Sequence, residues 1–352
     1  MSTSQARPPA RPLRKVLATW HATEQEIASI RDAVGDGVEV ATPHSEAGLS
    51  RYECSLEAVA GQLEDADAIV GWVLPRGALA RMRTLQLVCW LHAGVDELDR
   101  AELMRRGVRV CNVRGANAPA VAEHAVALLL AAAKRVPLKH QAVREGRRVA
   151  LWEPGSQAYM LAGRTVTIVG LGSVGSAIAQ RLSGFDMRVI GIRRDPSKGG
   201  RHVDVVHGPE RLREALGESD YIVLSLPITE TSERMLGADE LAAVKPGALL
   251  VNIARGNIVE EAALRDALDA GTLGGYACDV WWNYTDSFPA TYHFPTPSRT
   301  GLHMRDSVVA SGDQANNAED VRERDIEFGV RSLRQFQEGL ELTLEVDLER
   351  GY

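Results

Sequence analysis

Short apolar runs alternate with charged, amphipathic segments in the first third of the chain. The apolar runs predict buried strands at residues 15–20, 67–72, 85–90 and 108–113, and the pattern of 23–34 predicts a helix. Uninterrupted apolar runs of about six residues are typical of strands covered on both faces, as in parallel sheets. The charged segments between them supply the helical crossovers that parallel strands require. The pattern therefore predicts a parallel α/β domain.

A second series of the same kind occupies the middle of the chain. Its apolar runs predict strands at 164–170, 187–192, 220–227, 247–254 and 275–281. The predicted fold class is α/β, with two doubly wound parallel-sheet domains of the flavodoxin or Rossmann kind.

Two long helical patterns decide the predicted domain boundaries. An alanine- and leucine-rich helix at 119–136 precedes the second series, and an amphipathic helix at 318–340 closes the chain. If the closing helix packs on the first series, the second domain is inserted in the first. The expected parts are then a disordered tail at 1–14, a first domain at 15–116 plus 306–352, and an inserted domain at 117–305.

Composition and charge exclude several classes of protein. The 352 residues exceed what one compact core usually spans, which agrees with two domains. The net charge of −7 argues against nucleic acid or an anionic membrane surface as a partner. No apolar run approaches the roughly 18 residues of a membrane span, and the four cysteines lack metal-site spacing. We expect a cytoplasmic protein with reduced thiols and without a metal.

A glycine-rich turn follows the first strand of the second series. It reads Gly170-x-Gly172-x-x-Gly175 and leads directly into a helical pattern. In such a turn the first glycine makes the bend, the second lets a pyrophosphate approach the backbone, and the third lets helix and strand pack closely. The free N–H groups and the positive dipole end of the helix favour the phosphates. We therefore expect a dinucleotide here, with Ser173 and Val174 among its contacts.

The next predicted strand ends on two arginines. An NAD site usually places an acidic residue about 20 residues after the glycine turn, where it binds the ribose 2′-hydroxyl. Arg193 stands at that place and Arg194 follows, so a 2′-phosphate would meet two guanidinium groups. The pattern favours NADP(H) over NAD(H). Asp195 keeps NAD(H) open, because a shift of two positions restores an acid.

Several longer motifs accompany the glycine turn. They are HAGVDELD at 92–99, NAPAVAEHAVALLLAA at 117–132, LPITETSERML at 226–236, and a segment at 251–281 that contains N-x-A-R-G-x-x-V and D-V-W. With these motifs the chain resembles the D-2-hydroxyacid dehydrogenase family, which includes formate and phosphite dehydrogenases, over about 85–340. The resemblance implies a substrate-binding lobe and an inserted NAD(P)-binding lobe, with the active site in the cleft between them. It also implies a homodimer, in which 144–156 form an arm and Trp152 reaches the neighbour.

The resemblance further implies roles for single residues. Arg255 matches the arginine that binds the substrate carboxylate, a role that suits a guanidinium fork at a strand end. Asp279 matches the residue that holds the nicotinamide carboxamide, and His92, Ala93 and Gly94 match the loop that cradles the substrate carboxylate. The remaining positions that match the cofactor or substrate cleft are Asn117, Leu226, Pro227, Thr231 and Ala254.

One part of the family's pattern is missing. The family uses a histidine as general acid and base, in a T-P-H or S-P-H segment after a strand, oriented by a glutamate five residues after the D-V aspartate. Here Asp313 replaces the histidine, Tyr284 replaces the glutamate, and no histidine follows His303. An exposed aspartate has a pKa of about 4, too low for a proton donor at neutral pH, although burial raises such a pKa.

Three functions stay open at this point. The first is an oxidoreductase acting on CH–OH groups of small 2-oxo and 2-hydroxy acids, in which Asp313 or His92 replaces the missing donor. The second is hydride transfer to or from an atypical oxyanion, such as formate, with aromatic residues of 281–294 shaping the pocket. The third is a dinucleotide-binding sensor or scaffold with little or no catalysis. Arg255 weighs against the third, because a sensor does not need it.

Overall fold

A computed structural model of the protein describes residues 11–44, 50–151, 155–283 and 297–352. These residues divide into two compact units. The first unit comprises the described residues of Met1–Asn117 and Glu319–Tyr352, and the second comprises those of Ala118–Tyr284 and Phe294–Ala318. The first unit is therefore built from both ends of the chain, and the second from the stretch between them.

The strands are short and mostly apolar. In chain order they are β1 (Lys15–Ala18), β2 (Glu39–Ala41), β3 (Ala68–Gly71), β4 (Leu87–Trp90), β5 (Arg109–Asn112), β6 (Thr165–Val169), β7 (Arg188–Ile192), β8 (Val205–His207), β9 (Tyr221–Leu224), β10 (Ala248–Asn252), β11 (Leu273–Cys278) and β12 (Val308–Ala310).

The α-helices lie between the strands and at the end of the chain. They are α1 (Glu24–Val34), α2 (Leu56–Val59), α3 (Ala78–Arg81), α4 (Arg100–Arg105), α5 (Ala118–Ala133), α6 (Val136–Arg144), α7 (Ser173–Leu182), α8 (Leu212–Glu218), α9 (Ala238–Ala242), α10 (Glu261–Asp269) and α11 (Val321–Gln337). None of the helices in the described ranges has both the length and the apolar character needed to cross a bilayer.

The two sheets confirm the predicted fold class. The first unit holds a five-stranded sheet in the order β2-β1-β3-β4-β5, which is the flavodoxin order. The second holds a seven-stranded sheet in the order β12-β11-β10-β9-β6-β7-β8, which is the Rossmann order with β12 added at one edge. All strand pairs in both sheets are parallel.

Apolar strands and an amphipathic closing helix form the core of the first unit. All residues of β1, β3 and β4 are buried, as continuous apolar runs require. Helix α11 packs on this sheet with Ile326, Val330 and Leu333 in the shared core. A Cβ on Gly329 would lie 2.5 Å from a methyl group of Leu91, so the helix approaches the sheet closely at that point.

The second boundary between the units differs from the sequence expectation. Residues 306–318 were assigned to the first domain, but β12 pairs with β11 and places them in the second unit. With three residues, β12 carries no long apolar run that would show its sheet membership. Trp152, Tyr284 and the aromatic residues Phe288 and Tyr292 lie outside the described residues, as do the first ten residues of the predicted tail.

Candidate active site

The glycine turn joins β6 to α7 in the second unit. Gly170 has a φ of +100°, and a Cβ placed on it would lie 2.6 Å from the carbonyl oxygen of Ser225. A Cβ on Gly175 would overlap the carbonyl oxygen of Gly170, so helix and turn are in direct backbone contact. A Cβ on Gly172 would meet no atom within 4 Å. Packing therefore explains the first and third glycines, and the open space beside the second suits the close approach of a ligand.

The start of α7 faces solvent at the carboxyl end of β6. Gly172 precedes the helix without a side-chain cap, Ser173 is exposed and Val174 is half-buried. The N–H groups of the first helical turn are thus suited to an anion. Since β6 and β9 are neighbours while β7 and β8 lie on the other side of β6, the turn lies at the topological switch point of the sheet. Nucleotides bind at such points in doubly wound folds.

The segment after β9 forms the opposite side of the switch point. Ser225 Oγ donates to the carbonyl oxygen of Gly170 at 2.7 Å, and Ser232 Oγ donates to that of Pro227 at 2.7 Å. Leu226 is half-buried, while Pro227 and Thr231 are exposed. The two serines were not singled out from the sequence. Ser225 ties the start of this segment to the glycine turn, and Ser232 fixes the segment internally.

Arg193 and Arg194 follow β7 directly. Arg193 is half-buried and its Nη1 donates to the carbonyl oxygen of Gly199 at 2.7 Å, whereas Arg194 is exposed. The carboxylate of Asp195 accepts from the backbone N–H and the hydroxyl of Ser197, at 3.2 Å and 2.5 Å. The hydrogen bond from the Ser197 hydroxyl is the main cause that lowers the pKa of Asp195. Asp195 thus shapes its own turn with its carboxylate.

Arg255 leaves the sheet at the end of β10, in a turn held by a buried amide. Asn252 Nδ2 donates to the carbonyl oxygen of Arg255 at 2.9 Å, and its Oδ1 accepts from the N–H of Ala254 at 3.0 Å. A Cβ on Gly256 would overlap the carbonyl oxygen of Trp281, so the turn packs against that residue. Arg255 is half-buried, and its Nη1 donates to the carbonyl oxygen of Ala254 at 2.9 Å. Both sides of the turn are therefore fixed around Ala254 and Arg255, the two residues of this turn to which the resemblance gives roles.

Asp279 follows β11 and is almost fully buried, with 2% of its surface exposed. Its Oδ1 accepts from Ser311 Oγ at 2.6 Å and from the N–H of Gln314 at 2.9 Å, and its Oδ2 accepts from the N–H of Ala315 at 2.8 Å. His124 Nε2 lies 2.9 Å from Ser311 Oγ and 3.4 Å from Asp279 Oδ1. Burial alone would raise the pKa of Asp279, but these hydrogen bonds outweigh it and lower the pKa.

Asp313 lies in the loop that Asp279 holds. The N–H of Asp313 donates to the carbonyl oxygen of Asp279 at 2.7 Å, and its φ of 56° lies in the left-handed region that non-glycine residues rarely adopt. The side chain is exposed. The burial that would allow Asp313 to act as a protonated donor is therefore not observed at this side chain.

The predicted carboxylate loop follows β4 in the first unit. His92 Nε2 lies 2.9 Å from the carbonyl oxygen of Trp72, so this nitrogen carries a hydrogen and donates it. Asn112 Nδ2 donates to the carbonyl oxygen of Ala93 at 2.7 Å. Ala93 and Gly94 are half-buried. These contacts fix the loop and engage one nitrogen of the imidazole with backbone.

Two further polar groups of the first unit are buried. Asn117, the last residue before α5, has an Oδ1 that is buried and has no hydrogen-bond partner among the described residues. Asp325 of α11 is 2% exposed; its Oδ2 accepts from Trp72 Nε1 at 3.2 Å and lies 3.9 Å from Arg322 Nη1. Burial raises the pKa of Asp325 to about 6. The sequence offered no signal for Asp325, because its place on the core face of α11 is a property of the packing.

Comparison with known proteins agrees with this geometry. The profile of the D-isomer specific 2-hydroxyacid dehydrogenase, NAD binding domain, matches residues 126–311. A glyoxylate reductase of Korarchaeum cryptofilum is 31% identical over 312 residues, which cover 86% of this chain and 90% of that protein. A glyoxylate reductase of Pyrococcus furiosus is 36% identical over 237 residues, which cover 65% of this chain and 70% of that protein.

A solved structure supports the same assignment. A D-isomer specific 2-hydroxyacid dehydrogenase of Xanthobacter autotrophicus, in complex with NADPH and MES, aligns with a TM-score of 0.73 and 27% identity, over 97% of this chain and 100% of that one. The chain belongs to the D-isomer specific 2-hydroxyacid dehydrogenase family. It is an NAD(P)-dependent oxidoreductase of that family, as the resemblance predicted.

Proposed function

We propose that the protein is an NADP(H)-dependent reductase that converts a small 2-oxo acid into the 2-hydroxy acid with a non-standard proton donor. The observation that carries the proposal is the common location of two features on one sheet. The glycine turn follows β6 and Arg255 follows β10, and both lie at the carboxyl edge of the second sheet, with β9 between the two strands. Two relatives that are 31% and 36% identical are glyoxylate reductases, which supports glyoxylate as the first substrate to test.

The residues of the second unit fit a bound dinucleotide. The open side of Gly172 and the uncapped start of α7 suit the pyrophosphate. Arg193 and Arg194 suit a 2′-phosphate, and the engagement of Asp195 with Ser197 supports NADP(H), because that carboxylate already has partners. The NADPH complex of the Xanthobacter relative agrees with this preference.

The chain's own groups would divide the work as follows. Arg255 binds the substrate carboxylate with a guanidinium fork, and Asp279 holds the carboxamide of the nicotinamide, as the family resemblance implies. Bound NADPH supplies a hydride to the carbonyl carbon of the substrate. The carbonyl oxygen then needs one proton. Asp313 supplies it once bound ligands cover its carboxyl group, or His92 supplies it from the carboxylate loop.

Steady-state kinetics with glyoxylate, hydroxypyruvate, pyruvate and formate, each with NADP(H) and NAD(H), test this function. We expect turnover of a 2-oxo acid with NADPH. Arg255→Gln should lower kcat/KM on the order of 10²–10³-fold, as removal of an electrostatic donor does. Arg265→Gln, at a half-buried arginine of α10 that pairs with Asp266, is the matched control and should have wild-type kinetics. Asp313→Asn should lower kcat on the order of 10²–10⁴-fold if Asp313 is the donor.

The outcomes separate the alternatives. Formate oxidation without reduction of 2-oxo acids would contradict the proposal and support hydride transfer from an atypical oxyanion. Tight NADPH binding without turnover of any substrate would contradict the proposal and support a dinucleotide-binding sensor or scaffold. An Asp313→Asn variant with unchanged kcat would remove Asp313 from the mechanism.

We also propose that the protein is a homodimer. Around α6, four large apolar side chains of the second unit are strongly exposed, a pattern typical of an interface between subunits. They are Val136 at 53%, Val143 at 72%, Leu151 at 77% and Met160 at 62%. Sedimentation equilibrium of the full chain tests this proposal, and a monomer at micromolar concentration would contradict it.

A further inference from the structure

We propose that His124 of α5 is a positioning residue for the loop 311–315, acting through Ser311 and Asp279. The purpose of this loop rests on the proposed function, since it carries Asp313. The geometry itself does not depend on that function, because every contact lies within the second unit. The imidazole that the family pattern places at position 313 is absent, while a different imidazole contacts the loop from a neighbouring helix.

The direction of each hydrogen bond follows from the chemistry of the groups. An ionised carboxylate only accepts, so Ser311 Oγ must donate its one hydrogen to Asp279 Oδ1, which lies 2.6 Å away. The hydroxyl oxygen can then only accept from His124 Nε2 at 2.9 Å. Nε2 therefore carries a hydrogen, and a hydrogen-bond chain runs from His124 through Ser311 to Asp279.

This chain supports a carboxylate that organises the loop. Asp279 accepts from the backbone N–H groups of Gln314 and Ala315, and its carbonyl oxygen accepts from the N–H of Asp313. An ionised group that is 2% exposed needs several donors to offset the loss of water. Without the donor from His124, Ser311 Oγ keeps its contacts with Asp279 and with the carbonyl oxygen of Cys278 at 3.3 Å, but nothing from α5 holds it. The carboxylate of Asp279 also loses the imidazole N–H that lies 3.4 Å from its Oδ1.

The backbone of Asp313 shows why the support matters. Its φ of 56° is unfavourable for an aspartate outside special turns, and such conformations persist only where the surroundings enforce them. Three backbone N–H groups of the loop donate hydrogen bonds to Asp279, and these bonds hold Asp313 in this conformation. Glu123, the acidic neighbour of His124 on α5, pairs with Arg181 at 2.7 Å. Asp279 is thus the acidic group in the described ranges that His124 contacts.

Four variants of the full chain test the role of His124. His124→Ala removes the donor, and His124→Gln keeps an N–H near the place of Nε2. Ser311→Ala interrupts the hydrogen-bond chain at its middle residue. His140→Gln is the matched control, because His140 is an exposed histidine on the adjacent helix α6.

Amide hydrogen exchange on the unliganded protein gives the first measurement. We expect the amides of Asp313, Gln314 and Ala315 to exchange about tenfold faster in His124→Ala and in Ser311→Ala. They should exchange at the wild-type rate in His124→Gln and in His140→Gln. This measurement needs neither cofactor nor substrate.

Kinetics with a 2-oxo acid and NADPH give the second measurement. We expect kcat of His124→Ala to fall on the order of 10- to 100-fold, because a small displacement of the loop misplaces its groups. The KM for the 2-oxo acid should change less than about threefold, since Arg255 is untouched. The double variant of His124→Ala with Ser311→Ala should be no worse than either single variant, because both break one chain.

Two results would overturn the proposal. Unchanged exchange and turnover in His124→Ala would show that the loop holds its place without the donor. His124→Gln as impaired as His124→Ala would show that the ring, rather than its N–H group, is required. If the wild-type protein reduces no 2-oxo acid while the exchange rates shift as expected, the proposed function fails and the positioning role stands.

Discussion

Replacing Asp325 by asparagine should make the protein more stable, relative to the wild-type protein, as the pH rises. Replacement of a carboxylate whose pKa is lowered in the folded protein would have the opposite effect. Asp325 lies on the core face of α11, where Trp72 Nε1 donates to its Oδ2 and its Oδ1 has no hydrogen-bond partner among the described residues. Asparagine has the same shape and keeps an oxygen that can accept from Trp72. It removes the charge and replaces the other oxygen by an NH2 group.

The size of the effect follows from the raised pKa. Burial raises the pKa of Asp325 from its usual value of 3.8 to about 6, against the weaker opposing effects of Trp72 and Arg322. The folded chain therefore holds this proton more tightly than the unfolded chain. The contribution of this proton to the free energy of unfolding is complete below about pH 4 and is lost as the pH rises through about 6. A pKa difference of about two units corresponds to about 3 kcal/mol.

Urea denaturation followed by tryptophan fluorescence, at pH values between about 4 and 8, measures the effect. The free energy of unfolding of Asp325→Asn, minus that of the wild-type protein, should increase by up to about 3 kcal/mol from pH 4 to pH 7. Glu327→Gln, at an exposed carboxylate on the same helix, should show no such increase. A difference between Asp325→Asn and wild type that stays constant over this range would refute the assignment of a buried, proton-retaining carboxyl group.

Two further predictions concern the dinucleotide site. Gly175→Ala should weaken NADPH binding more than about tenfold, measured by fluorescence titration, because its Cβ would overlap the carbonyl oxygen of Gly170 in the turn that we propose binds the phosphates. Gly184→Ala is its control, since a Cβ there meets no atom within 4 Å, and equal binding by both variants would contradict the argument. Arg193→Ala and Arg194→Ala should each raise the KM for NADPH about tenfold and leave the KM for NADH nearly unchanged. An equal rise for both cofactors would show that the arginines do not read the 2′-phosphate.

The hydrophobic pattern predicted the interior strands and the edge strand β5, but not the three other edge strands. β2 ends one side of the first sheet, and β8 and β12 end the two sides of the second. Each has three residues and is only partly buried, so none contains the continuous apolar run that marked the interior strands. The misplaced boundary at 306–318 has this cause.

Candidate residues could be chosen from the sequence where the chemistry that they suggest is local in the chain. The glycine turn and the two arginines after β7 each lie within one short segment. His124 and Ser311 were not predictable in this way, because 187 positions separate them and the two elements meet only in the fold. Asn252 stands three residues before Arg255, yet its role as the support of the turn depends on its full burial, which no motif expresses.

The placement of the two arginines after β7 has a practical consequence for redesign. Gly170 and Gly175 make close backbone contacts in the glycine turn, so larger residues cannot replace them without displacing the backbone. Arg194 and Asp195, by contrast, are exposed on a short turn that supports no core packing. If this turn reads the 2′-phosphate, as the proposed function requires, substitutions at these two exposed positions should change the coenzyme preference and leave the fold of the second unit intact.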